Sequence, residues 1–449
     1  MDSSTSSRLS LLRSLKIGSF NLGSALVDIL TASVWNRILI TDLGVGATPV
    51  ALLLALRYLL APISIWIGFR SDTQPILGLR RTPYIWAGRL LMLIAVILLP
   101  ISTLRLSLDP GDAIGWLTAA LVFVLYGLGT AISGGPFLAL IHDRTPAAKR
   151  GIAISIAQII LLTGFAVSPI LFARLLPSYS PEKFQSLAIG AGIAAGLIWL
   201  VSILGEERRG QAREKSLAAP SRPSMRETLR LMWGDARARG FFLFLALGAI
   251  ASFAQDAVLE PFGGDVFGMD LQQTTRFTAY FGGGVLAAMI VTSILTRRRR
   301  PEEQARPASI GLTVMIVGLV LLAIAGLSAA KWLVTPALIV FGLGFGVYTV
   351  GGVSLLMAMT ADARAGAYLG LWTMTQLVSR GIGIGLGGVV RDVSLSLTGS
   401  ITAAYASVFI LEAIGLAVCI GILARLDVIG FARDHRPNAP ASPRAAMAD

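Results

Sequence analysis

The segment Tyr126–Gly127–Leu128–Gly129 recurs as Phe341–Gly342–Leu343–Gly344, an offset of 215 residues in a chain of 449 residues. Three further pairs repeat at offsets of 215 to 218 residues: Gly134–Gly135 with Gly351–Gly352, Gly151 with Gly366, and Gln158 with Gln376. An almost constant offset close to half the chain length predicts that the chain contains a duplicated unit. The repeated glycines lie in apolar segments, so the duplication concerns the hydrophobic part of the protein.

The composition indicates a membrane protein with many spans. Hydrophobic residues make up 55% of the chain and charged residues 14%, with a mean hydropathy of +0.74, whereas soluble domains are about 25% charged. The apolar blocks are long and rich in glycine rather than alternating, which favours helices over barrel strands. At bilayer length we predict twelve spans, at residues 15–40, 47–69, 84–104, 113–141, 151–174, 185–204, 240–261, 273–296, 308–328, 333–360, 366–391 and 401–424.

The basic residues predict the orientation. The net charge is +13, but the lysines and arginines are concentrated in short loops between spans, which argues against nucleic-acid binding. The side opposite the termini holds only six basic residues: Arg105, Arg174, Lys183, Arg276, Lys331 and Arg391. This asymmetry predicts that both termini are cytoplasmic.

Six spans per copy place both copies in the same orientation, which is the parallel repeat of the major facilitator superfamily. The predicted fold is therefore all-α, with two pseudo-symmetric six-helix halves. We predict an N-terminal bundle over residues 1–204, a cytoplasmic linker over 205–239, a C-terminal bundle over 240–424 and a disordered cytoplasmic tail over 425–449. The linker has the pattern of a short amphipathic helix, although a merely solvated linker explains it equally well.

The segment from Gln255 to Gly268 holds the most notable charges. Asp256 and Glu260 are four residues apart, which would place them on one helix face, and we expect Pro261 with Gly263–Gly264 to end that helix. Acids at membrane depth usually have a functional role. The alternative is that both face water at the outer interface.

Other polar residues inside the spans are candidates for the central cavity. Spans 1, 4, 7 and 10 line the cavity in this architecture, which makes Asp28, Asn36 and Arg37 candidates beside Asp256 and Glu260. Span 11 adds Gln376 and, one turn later, Arg380, which could neutralise an acid of span 7 or 8. For each residue alone, snorkelling or an interhelical pair is an equally good explanation.

The cytoplasmic loop between spans 2 and 3 predicts a gate. The residues assigned to it, with two from the end of span 4, are Gly68, Asp72, Gly78, Arg80, Arg81, Asp143 and Arg144. The glycines would allow close helix approach, and Asp72 could pair with a cytoplasmic arginine to latch one access state. A plain positive-inside anchor would explain the arginines alone.

Histidine and cysteine are scarce. The chain has two histidines, His142 and His435, and one cysteine, Cys419. No metal cluster, catalytic triad, P-loop or dinucleotide motif is present, so we expect neither an enzyme nor a tightly bound metal or nucleotide. The axial ligand of a magnesium porphyrin would have to be His142, an asparagine or glutamine, a carboxylate, a carbonyl group or water.

Several motifs resemble the PucC/LhaA family of bacteriochlorophyll-delivery proteins within the facilitator superfamily. They are Trp35–Asn36–Arg37–Ile38–Leu39–Ile40, Gly68–Phe69–Arg70–Ser71–Asp72, Leu77–Gly78–Leu79–Arg80–Arg81, Asp143–Arg144–Thr145, Ser379–Arg380–Gly381 and, most specifically, Leu259 to Gly268. Two positions depart from the pattern: Ser64 replaces an expected arginine, and Ala358 replaces an expected acid.

The resemblance implies an assembly factor for light-harvesting complexes in the bacterial inner, intracytoplasmic photosynthetic membrane. Such a factor would carry (bacterio)chlorophyll, or a carotenoid, and would work beside antenna polypeptides, chlorophyll synthase and membrane lipid. Two other functions remain open. One is a proton-coupled transporter of a small organic solute that uses Asp256 or Glu260, and the other is a scaffold that binds antenna helices without pigment.

Overall fold

The computed structural model describes residues 3–146, 149–207, 236–296, 305–358 and 365–426. Within these ranges the chain is helical and contains no strand. Eleven helical segments are long and apolar enough to cross a membrane. The twelfth crossing, span 11, is the 34-residue helix Ala365–Thr398, which is more polar because it carries Gln376, Arg380, Arg391 and Asp392. The predicted all-α fold with twelve spans is confirmed.

The helices follow the predicted order. Span 1 comprises Ser3–Gly18, Phe20–Ile29 and Trp35–Arg37 with π-helical turns at Leu30–Val34 and Ile38–Asp42; span 2 comprises Ala47–Leu59 and Ile63–Thr73; spans 3 to 6 are Thr82–Leu108, Ala113–Arg144, Arg150–Leu175 and Pro181–Ile203. Span 7 comprises Ala236–Phe253, a 3-10 turn at Ala254–Ala257 and the helix Leu259–Phe267; spans 8 to 12 are Leu271–Thr296, Ala305–Leu327, Lys331–Ala358, Ala365–Thr398 and Ile401–Arg425.

We call the end of the bundle where span 1 begins the terminal end, and the opposite end the far end. The predicted amphipathic linker helix and the predicted disordered tail lie outside the described residues. The first helix of span 7 begins at Ala236, within the range predicted for the linker.

The two halves repeat the same helix crossing. A Cβ added to Gly129 of span 4 would lie 2.6 Å from Cγ of Met92 on span 3. A Cβ added to Gly344 of span 10 would lie 2.8 Å from Cγ of Met315 on span 9. The repeated glycines therefore occupy equivalent positions, at close helix crossings that a larger side chain would push apart.

Three spans are interrupted, and each interruption has a local cause. Span 2 breaks between Leu59 and Ile63, where Pro62 lacks a backbone N–H and its ring excludes a continuous helix. Span 1 widens into its two π-helical turns, a geometry that is frequent at functional sites. Span 7 tightens into its 3-10 turn, and contacts described below hold this turn against span 1.

The halves approach each other closely along spans 2 and 11. A Cβ on Gly388 of span 11 would lie 2.7 Å from the carbonyl oxygen of Ala47 on span 2 and would also collide with Ala51. Closer to the middle of the membrane, a Cβ on Gly381 would lie 3.0 Å from the carbonyl oxygen of Ala55. Small residues thus bring the two backbones together from the middle of the membrane to the far end.

Candidate functional site

An ion pair of the N-terminal half lies near the middle of the membrane. Nη1 of Arg57 on span 2 lies 2.9 Å from Oδ1 of Asp28 on span 1. The Tyr126 hydroxyl of span 4 donates to the same oxygen at 2.6 Å, and Nη2 of Arg57 donates to the Tyr58 hydroxyl at 2.6 Å. Both terminal nitrogens of Arg57 are therefore used, and only 6% of its side chain is exposed.

A second ion pair, formed by two residues of the C-terminal half, lies next to Tyr58. Nη2 of Arg380 donates to Oδ2 of Asp256 at 2.7 Å, and Gln255 donates to the other carboxylate oxygen at 3.3 Å. The Arg380 guanidinium lies 4.9 Å from the Tyr58 ring centroid and 4.3 Å from that of Phe253. The two pairs therefore meet at Tyr58 and form one network, which we call the central network, across the boundary between the halves.

The central network borders open space. Asp28, Asp256 and Arg380 are each only partly buried, although they lie in spans that cross the membrane and are surrounded by helices of both halves. Each carboxylate is neutralised by one arginine, so the network carries no net charge when all four groups are ionised. The sequence analysis selected Asp28, Asp256 and Arg380 as site residues, but not Arg57, Tyr58 or Tyr126.

The break in span 7 is capped by side chains from two other spans. Oε1 of Glu412 on span 12 accepts the backbone N–H of Gln255 at 2.6 Å, and the Asn36 amide of span 1 donates to the carbonyl oxygen of Ala257 at 3.1 Å. Interrupting a helix exposes backbone groups that must find partners in a membrane. Glu412 and Asn36 supply these partners, so the break is a built feature of the fold.

Because of this break, Asp256 and Glu260 do not share one α-helical face, and that prediction was wrong. Asp256 lies on the 3-10 turn, whereas Glu260 lies on the following helix. Pro261 and Gly263–Gly264 do not end the helix either: it continues to Phe267 and ends at Gly268 with φ +61°. A proline in the first turn of a helix is tolerated because its N–H would have no partner there.

Glu260 is buried at the boundary between the halves, with 4% of its surface exposed. The hydroxyl of Ser33 on span 1 donates to Oε1 of Glu260 at 2.8 Å, and that of Thr278 on span 8 donates at 3.0 Å. Among the described residues Glu260 has no ion-pair partner within 4 Å. Its environment therefore differs from that of Asp256, which is paired and partly exposed.

Asn36 and Arg37 are buried and contact the backbone of span 7 and of the residues that follow it. Arg37 pairs with Asp42 at 3.0 Å on its own span and donates to the carbonyl oxygen of Met269 at 3.0 Å after span 7. Gly264 packs against the guanidinium, because a Cβ there would lie 2.7 Å from Cζ of Arg37. Together these contacts join spans 1 and 7 towards the far end.

Asp392, which the sequence did not single out, also joins the halves at the far end. From span 11 it accepts the backbone N–H groups of Ala47 and Thr48 at 3.1 and 2.7 Å. These are the first N–H groups of the span 2 helix, whose own N-cap residue, Gly46, makes no side-chain bond. Arg391 supports the cap, since its guanidinium bridges Asp392 at 2.8 Å and Asp265 at 3.1 Å.

At the terminal end the predicted gate residues form ion pairs inside the N-terminal half. Arg81 pairs with Asp72 at 2.5 Å and with Asp143 at 3.3 Å, and Arg80 lies 3.6 Å from Asp72. Arg144 is partly buried nearby. Glu207 accepts the backbone N–H groups that begin span 3, including that of Arg80 at 2.6 Å.

The two glycines of the predicted gate occupy different surroundings. A Cβ on Gly68 would have no atom within 4 Å, so the expectation of close packing at this residue was wrong. Gly78 has φ +76°, a left-handed conformation that glycine adopts without strain. Gly78 therefore shapes the loop.

Glu206, just after span 6, ties span 1 to span 6 at the terminal end. Arg13 and Lys16 donate to its two carboxylate oxygens at 2.7 and 2.9 Å. Burial opposes ionisation of this carboxyl, but the hydrogen bonds from Lys16 and Arg13 outweigh burial and lower the pKa of Glu206.

Two predicted residues lie apart from the contacts above. Gln376 is half-buried one turn before Arg380 and makes no hydrogen bond to the described residues. The His142 side chain is 56% exposed at the terminal end of span 4, with Nδ1 3.9 Å from Asp143. Within the described ranges, no group of three or more His, Cys, Asp or Glu side chains could hold a metal ion.

Comparison with known protein families identifies the family of this chain. The family model for PUCC protein matches residues 34–431, which cover both halves. The chain belongs to the PUCC protein family. It is 30% identical to Protein PucC of Rhodobacter capsulatus over 435 residues, covering 94% of this chain and 93% of that protein. It is 32% identical to Protein PucC of Rhodovulum sulfidophilum over 396 residues, covering 86% of each.

A further relative and two solved structures complete the comparison. The chain is 28% identical over 380 residues to the "Bacteriochlorophyll synthase 44.5 kDa chain" of Rhodobacter capsulatus, covering 83% of this chain and 85% of that protein. Its fold is similar to that of the nucleoside transporter NupG (TM-score 0.67, 13% identity, covering 92% and 99%) and of a D-xylose-proton symporter (TM-score 0.65, 15% identity, covering 91% and 97%). These similarities confirm the major facilitator fold.

Proposed function

We propose that this chain is a non-enzymatic assembly factor that binds (bacterio)chlorophyll and delivers it to antenna polypeptides of light-harvesting complexes. The observation that carries the proposal is the PUCC family match across residues 34–431. The relative named as a bacteriochlorophyll synthase chain, similar over 83% of this chain, supports a link to pigment metabolism. The protein would act in the photosynthetic membrane, in contact with lipid, antenna helices and chlorophyll synthase.

The central network suits a large and mostly apolar cargo. Its four charged groups are neutralised as two pairs, so little unpaired charge faces the ligand. The aromatic rings of Phe253 and Phe345, 5.5 Å apart, lie beside the pair formed by Arg380. Binding sites of this kind combine apolar and aromatic walls with a few placed polar groups.

In this proposal His142 is the imidazole available to the pigment's magnesium. Its exposure at the terminal end of span 4 would let it take up pigment before the pigment reaches the central network. The chain offers a matched control, because its only other histidine, His435, lies in the C-terminal tail.

The test begins with the visible spectrum of protein purified gently from a pigment-producing host. We expect a chlorophyll-type band that shifts or weakens in His142→Phe and persists in His435→Phe, and deletion of the gene should lower antenna levels. Colourless protein together with normal antenna levels in the deletion strain would refute the proposal. Crosslinks to antenna polypeptides that persist in a strain without pigment synthesis would favour a scaffold that needs no pigment.

One observation favours a second function, a proton-coupled transporter of a small organic solute. Glu260 is a buried carboxyl between the halves whose described hydrogen-bond partners are the hydroxyls of Ser33 and Thr278, as expected for a group that can be occupied by a proton. This function predicts that Glu260→Gln abolishes gradient-driven uptake in vesicles while the protein still inserts. Absence of any solute movement in response to a pH gradient would exclude it.

A further inference from the structure

Arg380 is held in a fixed orientation by one aromatic ring from each half. Its guanidinium carbon lies 4.9 Å from the ring centroid of Tyr58 on span 2 and 4.3 Å from that of Phe253 on span 7. Contacts of this kind stabilise a cation over an aromatic face, and they leave the edge of the guanidinium as its free surface.

The edge of Arg380 has hydrogen-bonding capacity to spare. Its one described hydrogen bond runs from Nη2 to Asp256, which leaves Nη1 without an acceptor in the described ranges, while Nε is buried. Its side chain is 34% exposed. Arg57, by contrast, uses both terminal nitrogens and is almost fully buried, so Arg380 is the arginine of the central network that a ligand can reach.

The surroundings of Arg380 indicate what kind of anion fits. A guanidinium edge matches the planar geometry of a carboxylate, to which it can donate two parallel hydrogen bonds. Aromatic side chains continue from Phe253 to Phe345 and on to Phe281, with neighbouring centroids 5.5 and 5.6 Å apart. The site therefore combines a carboxylate-binding edge with aromatic walls for a flat apolar body.

We propose that Arg380 recognises the free carboxylate of a tetrapyrrole acid, the unesterified form of the pigment, and that Asp256 is the internal acceptor that this carboxylate displaces. The inference rests on the proposed pigment-binding function and adds a second ligand at the same site, the unesterified precursor of the esterified pigment that the protein delivers. Asp256 lies 2.7 Å from Arg380, so a ligand must displace a carboxylate, and this makes the site selective for an acid over its ester.

The test compares mesoporphyrin IX with its dimethyl ester, which has the same ring without free carboxylates, by porphyrin fluorescence on the purified full-length protein. We expect the wild type to bind the acid at least about tenfold more tightly, the gain typical of a charge-assisted hydrogen bond. Arg380→Gln should lower acid binding to the level of the ester and leave ester binding unchanged. Asp256→Asn should strengthen acid binding alone, because the competing carboxylate is removed.

Arg89→Gln is the matched control. Arg89 also stacks on two aromatic rings, at 4.2 Å from Phe20 and 4.7 Å from Trp199, but these rings belong to the N-terminal half alone. We expect this variant to keep the wild-type preference for the acid. A loss of preference in Arg89→Gln equal to that in Arg380→Gln would overturn the assignment to Arg380.

The remaining outcomes separate this inference from the function on which it rests. Equal binding of acid and ester by the wild type would overturn the inference and leave pigment binding intact. Failure of both porphyrins to bind would refute pigment binding itself. Displacement of mesoporphyrin by phosphatidylglycerol vesicles as efficiently as by excess mesoporphyrin would assign Arg380 to a lipid anion and overturn the inference.

Discussion

Asp392→Ala tests whether the halves are latched at the far end. Asp392 accepts two backbone N–H groups of span 2 from the opposite half, and such caps stabilise by about 1–2 kcal/mol. These bonds join the two halves. Their loss should therefore destabilise the arrangement in which the halves are closed at the far end, and not the fold of either half. A loss of about 2 kcal/mol corresponds to a roughly 30-fold increase in the open fraction.

The assay is labelling of a cysteine near the central network by a membrane-impermeant maleimide. Ala32 is partly buried on span 1, between Asp28 and Asn36, and Ala32→Cys can be built in a Cys419→Ser background, since Cys419 is the one native cysteine. In spheroplasts the predicted orientation exposes the far end to the reagent. We expect labelling to accelerate by up to about 30-fold in Asp392→Ala.

Asp112→Ala is the matched control, because Asp112 makes the same kind of cap within one half. It accepts the N–H groups of Ile114 and Gly115 at 3.1 and 3.2 Å and pairs with Arg105 at 2.7 Å. Its loss should lower stability without opening the boundary between the halves. Equal acceleration in both variants, or none in Asp392→Ala, would refute the latch.

Three further predictions concern stability, measured by thermal unfolding in detergent. Glu412→Ala leaves the backbone N–H of Gln255 buried without a partner and should lower the free energy of unfolding by about 1–3 kcal/mol. Glu412→Gln keeps an acceptor oxygen and should lower it by less. Equal losses in the two variants would contradict the capping role. Because the pKa of Glu206 lies below its ordinary value near 4.5, its ion pairs stabilise above that pH, and the stabilisation is lost as the pH falls through the lowered value. Glu206→Gln should therefore flatten the acid side of the stability profile, and an unchanged profile would show that these ion pairs add no stability. Gly129→Ala should destabilise through its clash at the span 3 crossing, whereas Gly134→Ala, where a Cβ meets nothing within 4 Å, should be tolerated; similar effects would refute the close-packing argument.

The fold was predictable because it depends on features that are local or periodic in the sequence. Bilayer-length apolar blocks define the spans, and the recurrence of the Gly129 segment at Gly344 defines the duplication. The structure adds that both glycines serve equivalent crossings, against Met92 and Met315. This needs packing information that the sequence does not contain.

The candidate site was predictable only in part, because its pairing depends on contacts between distant spans. The sequence identified Asp256 and Arg380, but not the place of Arg57 and Tyr58 beside them. It placed Asp256 and Glu260 on one face because nothing local indicates a 3-10 turn. The partner that caps the turn, Glu412, lies 157 residues from Gln255 in the chain.

The interruption at Pro62 divides span 2 into two pieces that are bonded to different halves. Its far-end piece, Ala47–Leu59, is bonded to Asp392 of the C-terminal half, while its terminal-end piece, Ile63–Thr73, carries Asp72, which pairs with Arg81 of the N-terminal half. A rotation of one half against the other that keeps both contacts must therefore flex the chain at Pro62. A change of the bend at Pro62 would therefore couple the contacts at the far end of the bundle to those at the terminal end.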